Sequence, residues 1–334
     1  MRALWLTKFD YSGNTEAVIL WARGLLSREL KIHLVLTGIP SSLLGVYKDY
    51  LDKYGLKNSL NIGTQQVQNL LYYSRYDLLH VYHTDLYALA ENLSSSLKIP
   101  WLAGCFNEIN HSSYPHLTKA NSITCCSSAS LQAVKDLFHP YRKIRLLLIP
   151  FGVSIKPGNF SPLDRLDILY AGPLEQNCTA SFHALNEVVQ KNNFCSLSVM
   201  SEQRPSGFKG SYYPWNPDLT GIFNHYNIIA GSGFHLLQGI AMGKIALILN
   251  ENYGGFFSPH STVQAHDFRS GEQAEKGEIQ KLLKRDLQTL LENLPNTKKL
   301  QQENWNYAME NHNMEIIGEK IIRFYSRANH TLKS

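Results

Sequence analysis

The chain has no apolar run near the roughly 18 residues needed to span a bilayer. No GxGxxG follows its first apolar stretch, which leaves a Rossmann dehydrogenase without support. None of its five cysteines (Cys105, Cys125, Cys126, Cys178, Cys195) forms a CxxC pair, which argues against a zinc ribbon or a disulfide framework. The odd count fits a reducing cytosol, and a cytoplasmic location is expected. No His/Cys/Asp set has metal-ligand spacing, so no metal cofactor is expected. There is no low-complexity tract and no short tandem repeat. Charge is sparse, at 18% of residues. The net +5 resides in the first half, with 15 Lys and Arg against 10 Asp and Glu up to Pro150 and 17 against 17 beyond it. That excess is too weak for nucleic-acid binding. It admits an anionic acceptor or a peripheral contact with the inner face of a membrane, or else ordinary variation in a soluble domain.

What is present is alternation. Ala3–Thr7 is a short apolar stretch closed by Lys8 and Asp10, a buried strand rather than a secretion signal. Val18, Trp21, Ala22, Leu25 and Leu26 then recur at helical spacing. Short buried strands are expected at Ile32–Leu36, Asp77–Tyr82, Pro100–Ala103, Ile123–Cys126 and Ile144–Ile149, with helices such as Asp85–Leu97 and Ser128–Phe138 between them. Such alternation predicts a parallel sheet covered by helices.

Pro150, Gly152, Pro157, Gly158 and Pro162 then cluster as a linker. The alternation restarts with Asp167–Ala171, Ser181–Gln190, Cys195–Met200, Leu219–Phe223, Asn227–Ala230, Gly233–Met242 and Ile245–Leu249. Two helices follow. One carries Ile279, Leu282, Leu283, Leu287, Leu290 and Leu294, and the last carries Ile316, Ile317, Ile321, Phe324 and Tyr325. The length and this pattern predict an α/β fold of two Rossmann-like domains facing across a cleft.

Several segments resemble family 4 of the retaining glycosyltransferases, whose two-domain fold is called GT-B. Ser12-Gly13-Asn14-Thr15-Glu16 resembles the family's glycine loop, and Asp77-Leu78-Leu79-His80 its Asp-Val-Val-His strand. Ile149-Pro150-Phe151-Gly152-Val153-Ser154 is similar to the Ile-Pro-Asn-Gly-Val-Asp that ends the first domain, and Asp167–Gly172 to the strand opening the donor domain. The run Leu236–Lys244 resembles Leu-Leu-Glu-Ala-Met-Ala-x-Gly-Lys, and Tyr253–Pro259 resembles a Tyr-Gly-Gly loop. The resemblance implies an N-terminal acceptor-side domain over 1–152, a nucleotide-sugar donor domain over 153–312, and a helix over 313–334 that crosses back to the first domain.

The matched positions give a set of expected substrate contacts: Gly13, Asn14, Gly172, Ser232, Gly233, Gln238, Gly254 and Gly255. Gly13 either lets backbone amides approach a diphosphate or makes a plain turn. Ser232-Gly233 either opens an anion-binding helix end or is an ordinary N-cap. Gly254-Gly255 is either a tight loop near ligand or a simple turn. Gln238 either faces the ribose or is a polar residue at a helix edge.

The chain departs from the family where charge is usual. Gln238 stands in place of a ribose-binding glutamate, and Ala230 in place of a second one. Gly172-Pro173-Leu174-Glu175-Gln176-Asn177 lacks the arginine and lysine that face the diphosphate, and Phe106-Asn107 lacks a histidine. Arg204, Lys209 and Lys244 are candidate stand-ins for the cations, and His80, His83, His111 and His116 for the histidine. The resemblance thus implies one of two functions. The first is a transferase moving a sugar from a nucleotide-diphosphate donor to a glycan, lipid-linked or other cell-surface precursor. The second is an inactive relative serving as a binding or scaffold subunit of an active glycosyltransferase.

Overall fold

The structure is a computed structural model that describes residues 1–28, 30–106, 114–138, 144–158, 160, 163–174, 179–249, 253–260 and 276–330. The chain divides into two compact units.

The first unit comprises Met1–Asp10, Asn14–Gly152 and Met314–Ser334. Its elements begin β1 (Arg2–Lys8), α1 (Asn14–Gly24), β2 (Lys31–Thr37), α2 (Ser41–Lys53), β3 (Lys57–Leu60), α3 (Thr64–Ser74) and β4 (Leu78–Val81). A 3-10 turn at Thr84–Leu86 leads into α4 (Tyr87–Leu97), β5 (Trp101–Cys105), α5 (Tyr114–Leu117), β6 (Ser122–Cys125), α6 (Ser128–Phe138) and β7 (Arg145–Leu148). The strands lie in the order β3-β2-β1-β4-β5-β6-β7 and every neighbouring pair is parallel. Leu4, Trp5 and Leu6 are buried on both faces of β1, which is why the sequence there is continuously apolar rather than alternating.

The second unit runs through Val153–Asn313 and takes in Tyr11–Gly13, the loop after β1. It contains β8 (Leu166–Ala171), α7 (Thr179–Gln190), β9 (Cys195–Ser201), β10 (Tyr212–Pro214), α8 (Thr220–Phe223), β11 (Ile228–Gly231), α9 (Phe234–Ala241) and β12 (Ile245–Leu249). β13 (Tyr253–Phe256), α10 (Lys276–Glu292) and α11 (Leu294–His312) complete it. The order is β10-β9-β8-β11-β12-β13, parallel except for β13, which runs antiparallel at one edge. Each unit has its own apolar core.

α12 (Met314–His330) belongs to the first unit. Ile317, Ile321, Phe324 and Tyr325 are buried along one face. Ile316 is 42% exposed and does not share that face, which corrects the sequence reading. Tyr325 reaches into the first core, where its hydroxyl lies 2.5 Å from His80 Nδ1. Among the described residues, no helix is long and apolar enough to cross a membrane.

Candidate functional site

A parallel sheet binds ligands beyond the carboxyl ends of its strands, at the point where strand order reverses. In the second sheet that point lies between β8 and β11. Register places Met200, Ala171, Gly231, Ile248 and Gly255 in one row across five strands. Gly172, Ser232 and Gly233 follow at once, so five of the expected residues lie along one edge when Gly254 is counted beside Gly255.

The chain makes this edge tight. Gly231 has φ 143°, and a Cβ there would lie 2.4 Å from the Ala171 carbonyl oxygen. No other residue fits without moving β8 away. Gly233 (φ 65°) is the N-cap of α9 and has no side chain to close the helix end. That excludes the reading of Ser232 as an N-cap; Ser232 is half-buried ahead of it. The first-turn N–H groups and the helix dipole make this end favourable to an anion.

Two polar atoms on α9 are buried without hydrogen-bond partners among the described residues: His235 Nε2 and Gln238 Oε1. The residues are three apart and share a helix face. His235 is buried against Trp215, ring centroids 5.0 Å apart, and Trp215 meets Tyr11 edge-on at 5.1 Å. Burial pushes the imidazole down to about 4, with the Ala171 carbonyl acting weakly in the other direction, so the ring is neutral at pH 7. Gly13 packs on the same ring. His235 was missed in the sequence. Its signal was a lone histidine among Phe234, Leu236, Leu237, Ile240 and Ala241, in a helix apolar on nearly all sides.

Gly254-Gly255 forms part of β13 rather than a loop. A bulge between Ile248 and Leu249 shifts the register, and Gly255 takes φ 72° there. Asn14 belongs to the first unit, where its amide donates to Asp10 Oδ2 at 3.2 Å.

No stand-in cation joins the edge among the described residues. Arg204 follows β9 but donates to the carbonyls of Phe208 and Gly210. Lys209 is exposed in the same loop. Lys244 lies past the far end of α9, about 12 Å of helix from its N-terminus. Instead the edge carries a carboxylate: Glu202 accepts the Leu174 amide through both oxygens, at 2.9 and 3.0 Å. Burial, and then this charge, hold the Tyr11 hydroxyl above its usual range. Glu175, Gln176 and Asn177 lie outside the described residues.

The expected histidines are placed elsewhere. His80 is buried in the first core, near Tyr325, Tyr82 and Thr124, and burial pushes it down to about 3. His83 accepts the Asp85 amide, and His116 pairs with Glu91 at 2.8 Å on the surface. Phe106 is buried; Asn107 and His111 lie outside the described residues. Among the described residues, no group of three or more His, Cys, Asp or Glu side chains could hold a metal ion. Cys105, Cys125, Cys126 and Cys195 are buried and form no disulfide among the described residues, and Cys178 lies outside them.

No protein-family model matches the chain, and no curated protein sequence matches it. Among solved structures it resembles Anabaena HepE in complex with UDP and glucose, at TM-score 0.72 and 13% identity over 98% of this chain and 100% of that one. It resembles a glycosyltransferase from Rickettsia africae at TM-score 0.67 and 15% identity, covering 98% of each chain. It also resembles S. aureus MnaA bound to UDP, at TM-score 0.62 and 11% identity over 98% and 97%. With two parallel-sheet α/β units and likeness along nearly its whole length, the chain has the GT-B fold.

Proposed function

We propose that the chain is a glycosyltransferase of the family 4 type that binds a nucleotide-diphosphate sugar at the carboxyl edge of its second sheet. The observation that carries this reading is the buried Oε1 of Gln238, which has no hydrogen-bond partner among the described residues. A buried acceptor without a donor costs about 1–3 kcal/mol. A ribose hydroxyl is a donor of the right kind, one helical turn or so from an uncapped helix end suited to phosphate. Gly13, Gly172, Ser232, Gly233, Gly254 and Gly255 would let backbone approach the donor. The UDP complexes of HepE and MnaA support a uridine nucleotide. The acceptor in this reading is a glycan, a lipid-linked or another cell-surface precursor, and transfer retains configuration as the resemblance implies.

With none of the three stand-in cations at the edge among the described residues, leaving-group charge would be stabilised by the α9 N-terminus and backbone amides. Calorimetric titration with UDP, GDP and ADP and their sugars tests the reading. Binding of one of them, weakened by Gln238→Ala, is expected; no binding of any at millimolar concentration would overturn it.

Glu202 favours a second reading. A carboxylate at this edge opposes a diphosphate and suits a relative that kept the fold as a scaffold subunit. Co-purification with an active glycosyltransferase, without turnover by this chain alone, would select it.

A further inference from the structure

The amino edge of the first sheet holds a second concavity. Arg2, Lys31 and Lys57 open the three strands β1, β2 and β3, and parallel register aligns Arg2 with Lys31 and His33 with Lys57. Arg75 caps α3 with φ 49°, a left-handed conformation that few non-glycine residues adopt. These four cations line a cavity of about 320 Å³ together with His33 and Tyr73.

Among the described residues, no carboxylate forms an ion pair with the side chain of Arg2, Lys31, Lys57 or Arg75. The nearby acid, Asp77, accepts the backbone amide of Arg2 at 2.6 Å. The Arg2 guanidinium donates to the Ser74 carbonyl at 3.3 Å. His33 is fixed between Tyr76 Oη at 2.5 Å and Ser59 Oγ at 2.9 Å. Burial first, and the Lys57 charge second, push its imidazole down to about 4, so it adds no charge at pH 7. Four like charges drawn into one hollow repel one another, and a bound anion relieves that repulsion. Guanidinium forks and ammonium groups suit phosphate oxygens. Tyr73, which lines the cavity, is 77% exposed, and Tyr72, 5.2 Å from it ring to ring, is 67% exposed; both are amphipathic rings of the sort found at head-group level.

We propose that this cavity binds a phosphate-ester anion, a phosphomonoester or diphosphate, carried by a lipid head group or by a soluble molecule. It is independent of the donor reading, which concerns the second unit.

The test uses the full chain and two probes: inorganic diphosphate by calorimetry, and phosphatidylcholine vesicles with and without phosphatidic acid by flotation. The variant is Lys57→Ala with Arg75→Gly, in which glycine suits the left-handed backbone. The parent is expected to bind at least one probe. The variant should bind it roughly tenfold to hundredfold more weakly with an unchanged melting temperature. Lys299→Ala, an exposed cation in the other unit, should bind it like the parent. Capture by phosphatidic acid vesicles without diphosphate binding identifies a lipid head group; diphosphate binding identifies a soluble source. Failure of both probes, or a variant that binds as the parent does, overturns the proposal. Diphosphate binding lost in Gln238→Ala but kept in the pocket variant would also overturn it, while supporting the donor site.

Discussion

Gly13 lies against the imidazole of His235: a Cβ built on the glycine would stand 3.1 Å from both Cε1 and Nε2, and 3.2 Å from Phe234 Cβ. Gly13 also holds φ 86°. Gly13→Ala should therefore cost about 1–2 kcal/mol through the backbone, with a further penalty from the ring contact. His235→Ala in the same chain should return the contact part and leave the backbone part. Urea unfolding of the parent, both single variants and the double variant measures this coupling; strict additivity would show that the contact contributes nothing.

In the proposed donor site, Gln238 would supply an acceptor to a bound nucleotide. Gln238→Ala should weaken nucleotide affinity by roughly three- to thirtyfold, the value of one or two neutral hydrogen bonds. Gln238→Glu should hold or improve binding, because charge-assisted hydrogen bonds are stronger. Equal affinities for parent and Gln238→Ala would leave Gln238 as a polar residue at a helix edge.

His33, His80 and His235 are buried and held near 4, 3 and 4, below the ordinary value of 6.5. As pH falls below about 6.5, the unfolded chain takes up protons that the folded chain refuses. Stability is thus complete above that pH and declines toward pH 4, on the order of 1–3 kcal/mol for each ring. The urea midpoint should drop steadily between pH 7 and pH 4.5. A flat profile across that interval would mean that the rings charge freely in the folded protein.

Truncation after Asn313 removes α12, whose Ile317, Ile321, Phe324 and Tyr325 are buried. The first core would be opened, with loss of solubility. Tyr325→Phe is a gentler probe. It removes the hydroxyl beside His80 and should cost about 1 kcal/mol. A truncated chain melting at the parent temperature would show that α12 contributes no packing.

The buried strands were legible because β1 and β12 are apolar on both faces, so unbroken runs marked them, and β8 is broken only at Asp167. β3 and β10 were not, because these edge strands read Lys-Asn-Ser-Leu and Tyr-Tyr-Pro and are half exposed. α2 and α3 were passed over although Leu43, Tyr47 and Leu51, and Val67 and Leu71, recur four apart. Gly254-Gly255 read as a loop because glycine pairs usually mark turns, whereas here a bulge uses one of them inside a strand. His235 stayed hidden because its chemistry depends on Gly13 and Trp215, which are distant in sequence.

The chain leaves the first unit at Gly152 and rejoins it at Met314. During synthesis, all of β8 to β13 is made while the rings of Trp5 and His80 still lack Phe324 and Tyr325 above them. His80 and Tyr325 are separated by 245 positions, a closure that is slow to find. The half of the molecule that begins first is therefore the half that finishes last, and the apolar patch left open in the interval is where a chaperone or an aggregating neighbour has its longest opportunity.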